Sequence, residues 1–161
     1  MIGYQRILAI VELDQDDTQV LRRAAQLSRW SAAPLLVLHV LDYQAGFECD
    51  QAPVLTRQQV EVSLQEAARA KIDATLARLG VTQAHVLIAR GKPQEAAPAT
   101  AQEWQADLIV CSKTARYGLD HARPAFGRAY TGELLSVRAE RSGWSGRLRA
   151  WLQPLLQSRA Q

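Results

Sequence analysis

As far as Cys111, the chain is punctuated by four short apolar runs, with a stretch of helical spacing between each run and the next. The runs are Arg6 to Leu13, Leu35 to Leu41, Ala84 to Ala89 and Leu108 to Cys111. Each is only long enough for a strand, is rich in Val, Ile and Leu, and largely lacks alternation of polar with apolar residues. That is how strands buried on both faces read. Strand and helix in alternation, joined by right-handed crossovers, make a parallel sheet with helices on both faces. Open sheets of this kind take ligands outside the carboxyl ends of their strands. Leu108 to Cys111 runs straight into Ser112, Lys113, Thr114 and Arg116, so this loop should touch any small ligand.

The helices between the strands carry their own punctuation. Val20, Ala24, Leu27 and Ser31 trace one face of the first, with Leu21, Ala25 and Ser28 beside it. Asp16 or Asp17 caps its start, and Ala32-Ala33-Pro34 ends it beyond Trp30. A loop without periodicity, roughly Asp42 to Leu55, leads to Thr56 as N-cap of a long second helix. That helix buries Val60, Leu64, Ala68, Ile72, Leu76 and Leu79, and Gly80 is its stop. Pro93 suits the first turn of the third helix, and Pro98 predicts a kink or a delayed start there. Beyond Gly118 the pattern weakens, because Pro124 and Gly127 interrupt a helical composition. Glu133 to Glu140 reads as a fifth strand at a sheet edge, with Leu135, Val137 and Ala139 on its apolar face; a helix fits the same residues.

A chain of 161 residues is long enough for one domain that buries about 70% of its unfolded surface. It therefore needs neither disulfide nor metal to hold a core. Cys49 and Cys111 match no metal-ligand spacing; Cys111 reads as a packed thiol, and Cys49 as a loop residue. No run approaches the eighteen apolar residues of a membrane span, and no secretory leader is legible, so the expectation is a cytoplasmic protein.

Charge is divided unevenly along the chain. Residues 1–115 carry 11 Lys and Arg against 13 Asp and Glu, a net of −2; residues 116–161 carry 8 against 3, a net of +5. The basic character belongs to the tail. There Trp144, Leu148, Trp151, Leu152 and Leu155 recur at helical spacing, with Arg147 and Arg149 opposite. The division expected is an α/β domain over residues 1–140 and a basic amphipathic helix over 141–161. Such a helix packs on its own domain or a dimer partner, docks another protein, or lies on an anionic membrane surface. Nothing in the tail is arranged to read nucleic acid.

Several local phrases together resemble the universal stress protein family over about residues 4–120. They are Arg6-Ile-Leu-Ala-Ile-Val-Glu-Leu-Asp, Leu36-Val-Leu-His-Val, Arg90-Gly-Lys-Pro and Asp107-Leu-Ile-Val-Cys. The resemblance implies a doubly wound domain of the adenine-nucleotide alpha hydrolase kind, a homodimer formed through the last strand, and an adenine-nucleotide site. ATP-binding members carry Gly-x2-Gly-x9-Gly-Ser/Thr after the fourth strand. Here Ser112 stands at the first glycine and Ala115 at the second; the distal glycine falls near Ala125, and the nearby Gly127 is followed by Arg128. Those glycines let backbone N–H groups close round a triphosphate. Glu12 replaces the Asp usual near the adenosine. The pattern sits nearer the family's A-type branch, which keeps the fold without the phosphate loop.

Candidate nucleotide contacts are therefore Glu12, Gly91, Ser112, Lys113, Arg116, Gly118 and Gly127. The other carboxylates near Glu12 read as helix capping rather than a metal site. His39 and His85, inside apolar strands, read as core or strand-end residues rather than ligands. No Ser/His/Asp set, Cys/His pair or paired carboxylates stand at catalytic spacing. The expectation is a non-catalytic regulatory dimer with weakened or absent ATP binding. A switch holding ATP, AMP or a cyclic dinucleotide is the first alternative, and a subunit recruited to a membrane protein through the tail is the second.

Overall fold

A computed structural model of the chain describes residues 3–13, 17–42, 57–112, 126 and 130–138. Within them the order is β1 (Ile7–Val11), α1 (Asp17–Ser31), β2 (Leu35–Leu41), α2 (Arg57–Arg78), β3 (Ala84–Arg90), α3 (Pro93–Glu103), β4 (Leu108–Ser112) and β5 (Glu133–Val137). The strands form one sheet in the order β3-β2-β1-β4-β5, and every neighbouring pair is parallel. β1 and β4 are buried along their whole length, as their unbroken apolar composition requires.

Two cores lie on either side of the sheet. On one face Ile7, Ala9, Val11, Val37 and Val110 meet Val20, Leu21 and Ala24 of α1 and Ile72 and Leu76 of α2. On the other, Leu8, Ile10, Leu36, Leu38 and Ile109 meet Ala97 and Ala101 of α3, with Phe126 against the same cluster. Alternation along each strand sends successive residues to opposite cores, so a single apolar run serves both.

The expected elements appear with local differences. β1 is shorter than Arg6 to Leu13, because Leu13 turns into the left-handed region at φ +64° and ends the extended backbone. α1 runs one residue past Trp30, whose ring is 66% exposed, and stops where Ala32 adopts φ +54°. α2 buries Ala68, Ile72 and Leu76 as expected, while Val60 and Leu64 are only half-buried; Gly80, at φ +65°, is its stop. The Thr56 cap and the Cys49 loop lie outside the described residues.

Pro98 does not delay α3, which starts at Pro93 and runs to Glu103 with Pro98 inside it. The N–H that Pro98 lacks would have met Gln94, an exposed residue in the first turn where solvent reaches the backbone. β5 takes the strand alternative, as a parallel edge strand in register Leu108↔Glu133 to Ser112↔Val137. Leu135 and Val137 pack toward the α1 side, and Leu134 toward the α3 side.

Asp107 gathers three strands at their amino ends. Its carboxylate accepts the N–H groups of Gln5 (2.6 Å) and Arg6 (2.9 Å), ahead of β1. Its carbonyl accepts the N–H of Glu133, 2.8 Å away, which opens β5. Tyr4 adds a second tie between the same strands by donating its hydroxyl to Glu133 Oε2 at 2.6 Å.

Candidate functional site

The sheet order places its switch point between β1 and β4, because the chain winds outward from β1 to β2 and β3, then returns to β4 on β1's other side. The crevice outside the carboxyl ends of these two strands is where a doubly wound sheet takes a ligand. Glu12 follows β1 directly, and Ser112, 4% exposed, is the last residue of β4. Pairing runs from Ile7↔Leu108 to Ala9↔Val110. Continued two residues, it sets Val11 level with Ser112. The fold thus brings together two residues that are a hundred positions apart in sequence.

Gly91 follows β3, two strands from β1, and its N–H donates to Leu41 O at 3.1 Å. Its φ of +117° is one that a side chain would strain, which gives this glycine a backbone reason for its place. Gly91 is therefore at the same edge of the sheet as Glu12 and Ser112, on the far side of β2. Lys113, Arg116, Gly118 and Gly127 lie outside the described residues. So do Trp144, Arg147, Leu148, Arg149, Trp151, Leu152 and Leu155 of the tail.

Three side chains from three different elements hold the turn after β1. His39 of β2 lies 2.9 Å from Val11 O through its Nδ1. A carbonyl only accepts, so this nitrogen carries the proton. The N–H of Glu12 donates to Asp17 Oδ1 at 2.9 Å, which ties the start of α1 to the end of β1. Lys71 of α2 donates its ammonium to the carbonyl of Leu13. Three consecutive residues, 11 to 13, thus have their backbone groups engaged from β2, α1 and α2. The last of them sits in a conformation that disfavours an L-residue by about 1–2 kcal/mol. Strain of this sort persists where the surroundings over-determine it, and it concentrates at ligand sites.

Only part of this was visible in the sequence. Asp17, one of the two residues expected to cap α1, accepts the Glu12 N–H from five residues upstream, a contact with the β1 turn that its capping reading did not foresee. His39 is a core histidine with a backbone partner, whereas His85 is exposed on the edge strand with its ring 5.8 Å from that of Trp104. Lys71 carried no signal, since its partner is fifty-eight residues away and only helix packing brings the two together.

Burial lowers the pKa of His39 below its ordinary 6.5 more than its backbone bond raises it, and the charge of Lys71 adds to the lowering. The folded state thus prefers the neutral ring, while the unfolded chain takes up a proton near pH 6.5. Stability from this group is complete above pH 6.5 and is lost as the pH falls from there through the lower folded value. Urea midpoints are expected to drop between pH 7.5 and pH 5.5, and His39→Gln is expected to flatten that decline. An unchanged slope in the variant would place the titration elsewhere.

A parallel sheet in the order β3-β2-β1-β4-β5 with helices on both faces is a doubly wound α/β fold, with an acidic residue after β1 and a polar residue closing β4 across its switch point. The model of the universal stress protein family matches residues 3–127, and the chain belongs to that family. No curated protein sequence matches it. Among solved structures it is similar to the universal stress protein UspA from Lactobacillus plantarum, at 22% identity and a TM-score of 0.59, covering 87% of this chain and 100% of that one. A universal stress protein in complex with cAMP gives 17% identity and a TM-score of 0.60, covering 86% and 100%. The universal stress protein from Archaeoglobus fulgidus in complex with dAMP gives 17% identity and 0.53, covering 84% and 98%. At such identities the likeness concerns the fold. No described helix is long and apolar enough to cross a membrane.

Proposed function

We propose that this chain is a non-catalytic regulatory member of its family, acting as a dimer through protein contacts. On this reading its switch-point crevice keeps a site for the nucleoside end of an adenine nucleotide and has given up the tight grip on a triphosphate. It sits nearest the family's A-type branch. The observation that supports the nucleoside half is the turn at residues 11–13, held from three elements in a strained conformation beside Glu12. The observation that supports the lost grip lies in the loop after β4. Ser112 and Ala115 stand where a phosphate loop has glycines, and a Cβ at each position hinders backbone N–H groups from closing on phosphate oxygens. Lys113 and Arg116 remain as the cations for a single phosphate.

The relatives solved with cAMP and with dAMP support a monophosphate as the first ligand to try. Calorimetric titration with AMP, cyclic AMP and ATP, with and without Mg²⁺, tests the reading. Saturable binding of a monophosphate is expected, with ATP no tighter, and with Lys113→Ala and Arg116→Ala weakening it. No binding at millimolar concentrations would overturn the nucleotide site and leave the protein-contact role alone. ATP binding tenfold tighter than AMP would overturn the lost grip.

A further inference from the structure

Lys71 is the one member of the three-sided clamp that is not built into the sheet or the β1–α1 connection. It lies on α2, is exposed, and reaches back to the Leu13 carbonyl from a helix that otherwise serves as outer cover for the sheet. His39 and Asp17 are buried, at 6% and 7% exposure, and their removal would disturb packing as well as the turn. The Lys71 contact is different in kind. It is a single charged donor on an exposed side chain, acting on the residue whose φ of +64° ends β1. Glu12, which follows β1 at the crevice, is the residue immediately before it.

We propose that Lys71 is a positioning residue of the crevice, latching the Leu13 turn so that Glu12 is held ready for a ligand, and that α2 thereby takes part in the binding equilibrium. This rests on the adenine-nucleotide reading of the crevice. Without the latch the turn is free to leave the strained conformation, and ligand binding must first restore it. A competent form populated a tenth of the time raises the apparent Kd about tenfold. Coupling is reciprocal, so a ligand that needs the latched turn must also favour the Lys71 contact. A cavity of about 290 Å³ beside the latch, lined by Leu13, Asp17, Thr18 and Lys71 among others, gives reagents access to the ammonium.

The chain has three lysines, Lys71, Lys92 and Lys113, which makes a chemical readout clean. Lys92 is exposed and lies 3.8 Å from Glu95, but it follows Gly91 at the sheet edge of the crevice, so an added lysine peptide serves as the reference. Two measurements are made on the full-length protein with AMP as the probe. The first is the Kd of wild type, Lys71→Met and Lys71→Arg, taken well below the melting temperature of each. The second is the rate of acylation of each lysine by an amine-reactive acetyl donor, followed by mass spectrometry with and without AMP.

The expected result is a Kd about tenfold weaker in Lys71→Met and largely restored in Lys71→Arg, with apo melting temperatures close to wild type. Saturating AMP is expected to slow acylation of Lys71 several-fold relative to the added lysine peptide. Wild type that binds AMP while Lys71→Met binds it within twofold, or whose Lys71 reacts at the same rate with and without AMP, would overturn the latch and leave the crevice reading intact. Loss of stability and affinity together, with no restoration by arginine, would make Lys71 a structural residue and overturn it as well. Wild type that binds no nucleotide would overturn the crevice reading, and the latch with it.

Discussion

Ile109→Ala is expected to lower the stability of this protein by about 4 kcal/mol, the upper part of the range for removing a large aliphatic side chain from a core. The reason lies in the position of β4. Ile109 has no exposed surface, and its strand is paired to β1 on one side and β5 on the other. Its side chain packs into the cluster of Leu8, Ile10, Leu36, Leu38, Ala97 and Ala101 on the α3 face. A backbone fixed by two ladders has little freedom to collapse into the space vacated, so the cavity term adds to the lost transfer energy. For a chain of this length the change corresponds to a drop of about 8–16 °C in Tm.

Leu87→Ala provides the comparison, because it removes an aliphatic side chain from a β3 position that is 39% exposed. There the loss is expected to stay near 1 kcal/mol, since solvent fills what the side chain leaves. Calorimetric melting of both variants checks the pair. Similar losses at the two positions would mean that β4 is not held rigidly between β1 and β5. The same rigidity sets Ser112 opposite the end of β1, so Ile109→Ala should also weaken any ligand that bridges β1 and β4.

Gly132→Ala is expected to be the second most damaging change, at about 2–3 kcal/mol, near the top of the range for forcing extra volume into a packed site. A Cβ at this position would stand 2.7 Å from the backbone oxygen of Asp107 and would also run into the Tyr130 ring and hydroxyl. The tyrosine can swing aside. The Asp107 oxygen cannot, since it accepts the Glu133 N–H that begins the β4–β5 ladder, and the same residue's carboxylate holds Gln5 and Arg6. Displacing it loosens the amino ends of three strands together.

The expected signature is local as well as global. Amide exchange should quicken across Glu133 to Val137 before the rest of the sheet is affected, and any dimer formed along this edge should weaken. Tyr130→Ala in the Gly132→Ala background is expected to recover only part of the loss, because the contact with Asp107 remains. Unchanged exchange in β5 would show that the strand start can shift without consequence.

The first four strands and three helices were legible because burial and periodicity are properties of short windows, although β3 proves to be an edge strand with His85 and Leu87 exposed. Leu35-Leu-Val-Leu-His-Val-Leu41 announces a buried strand without reference to any other residue. β5 was harder. Exposed Glu133 and Ser136 alternate imperfectly with half-buried Leu134, Leu135 and Val137, and a pattern that mixed becomes a strand only once β4 offers a partner. The delayed start expected from Pro98 is not seen, for a related reason. The lost hydrogen bond fell on an exposed first turn, where its effect is small, and exposure is not written in the local sequence.

Glu12, Gly91 and Ser112 were legible as candidates because each follows an apolar run, and a strand's carboxyl end is a position one can count to. How side chains hold Glu12's turn in place was not legible, although Asp17 and His39 each stand out singly in the sequence. His39, Asp17 and Lys71 come to residues 11–13 from three separate elements. Composition and hydrophobic spacing by themselves determined a doubly wound domain and which residues close its strands, since these follow from which residues must leave water. Only the tertiary structure decided which side chains meet at the strands' carboxyl ends. Hydrogen bonds between distant elements depend on register and helix placement, and these are settled by packing over the whole sheet.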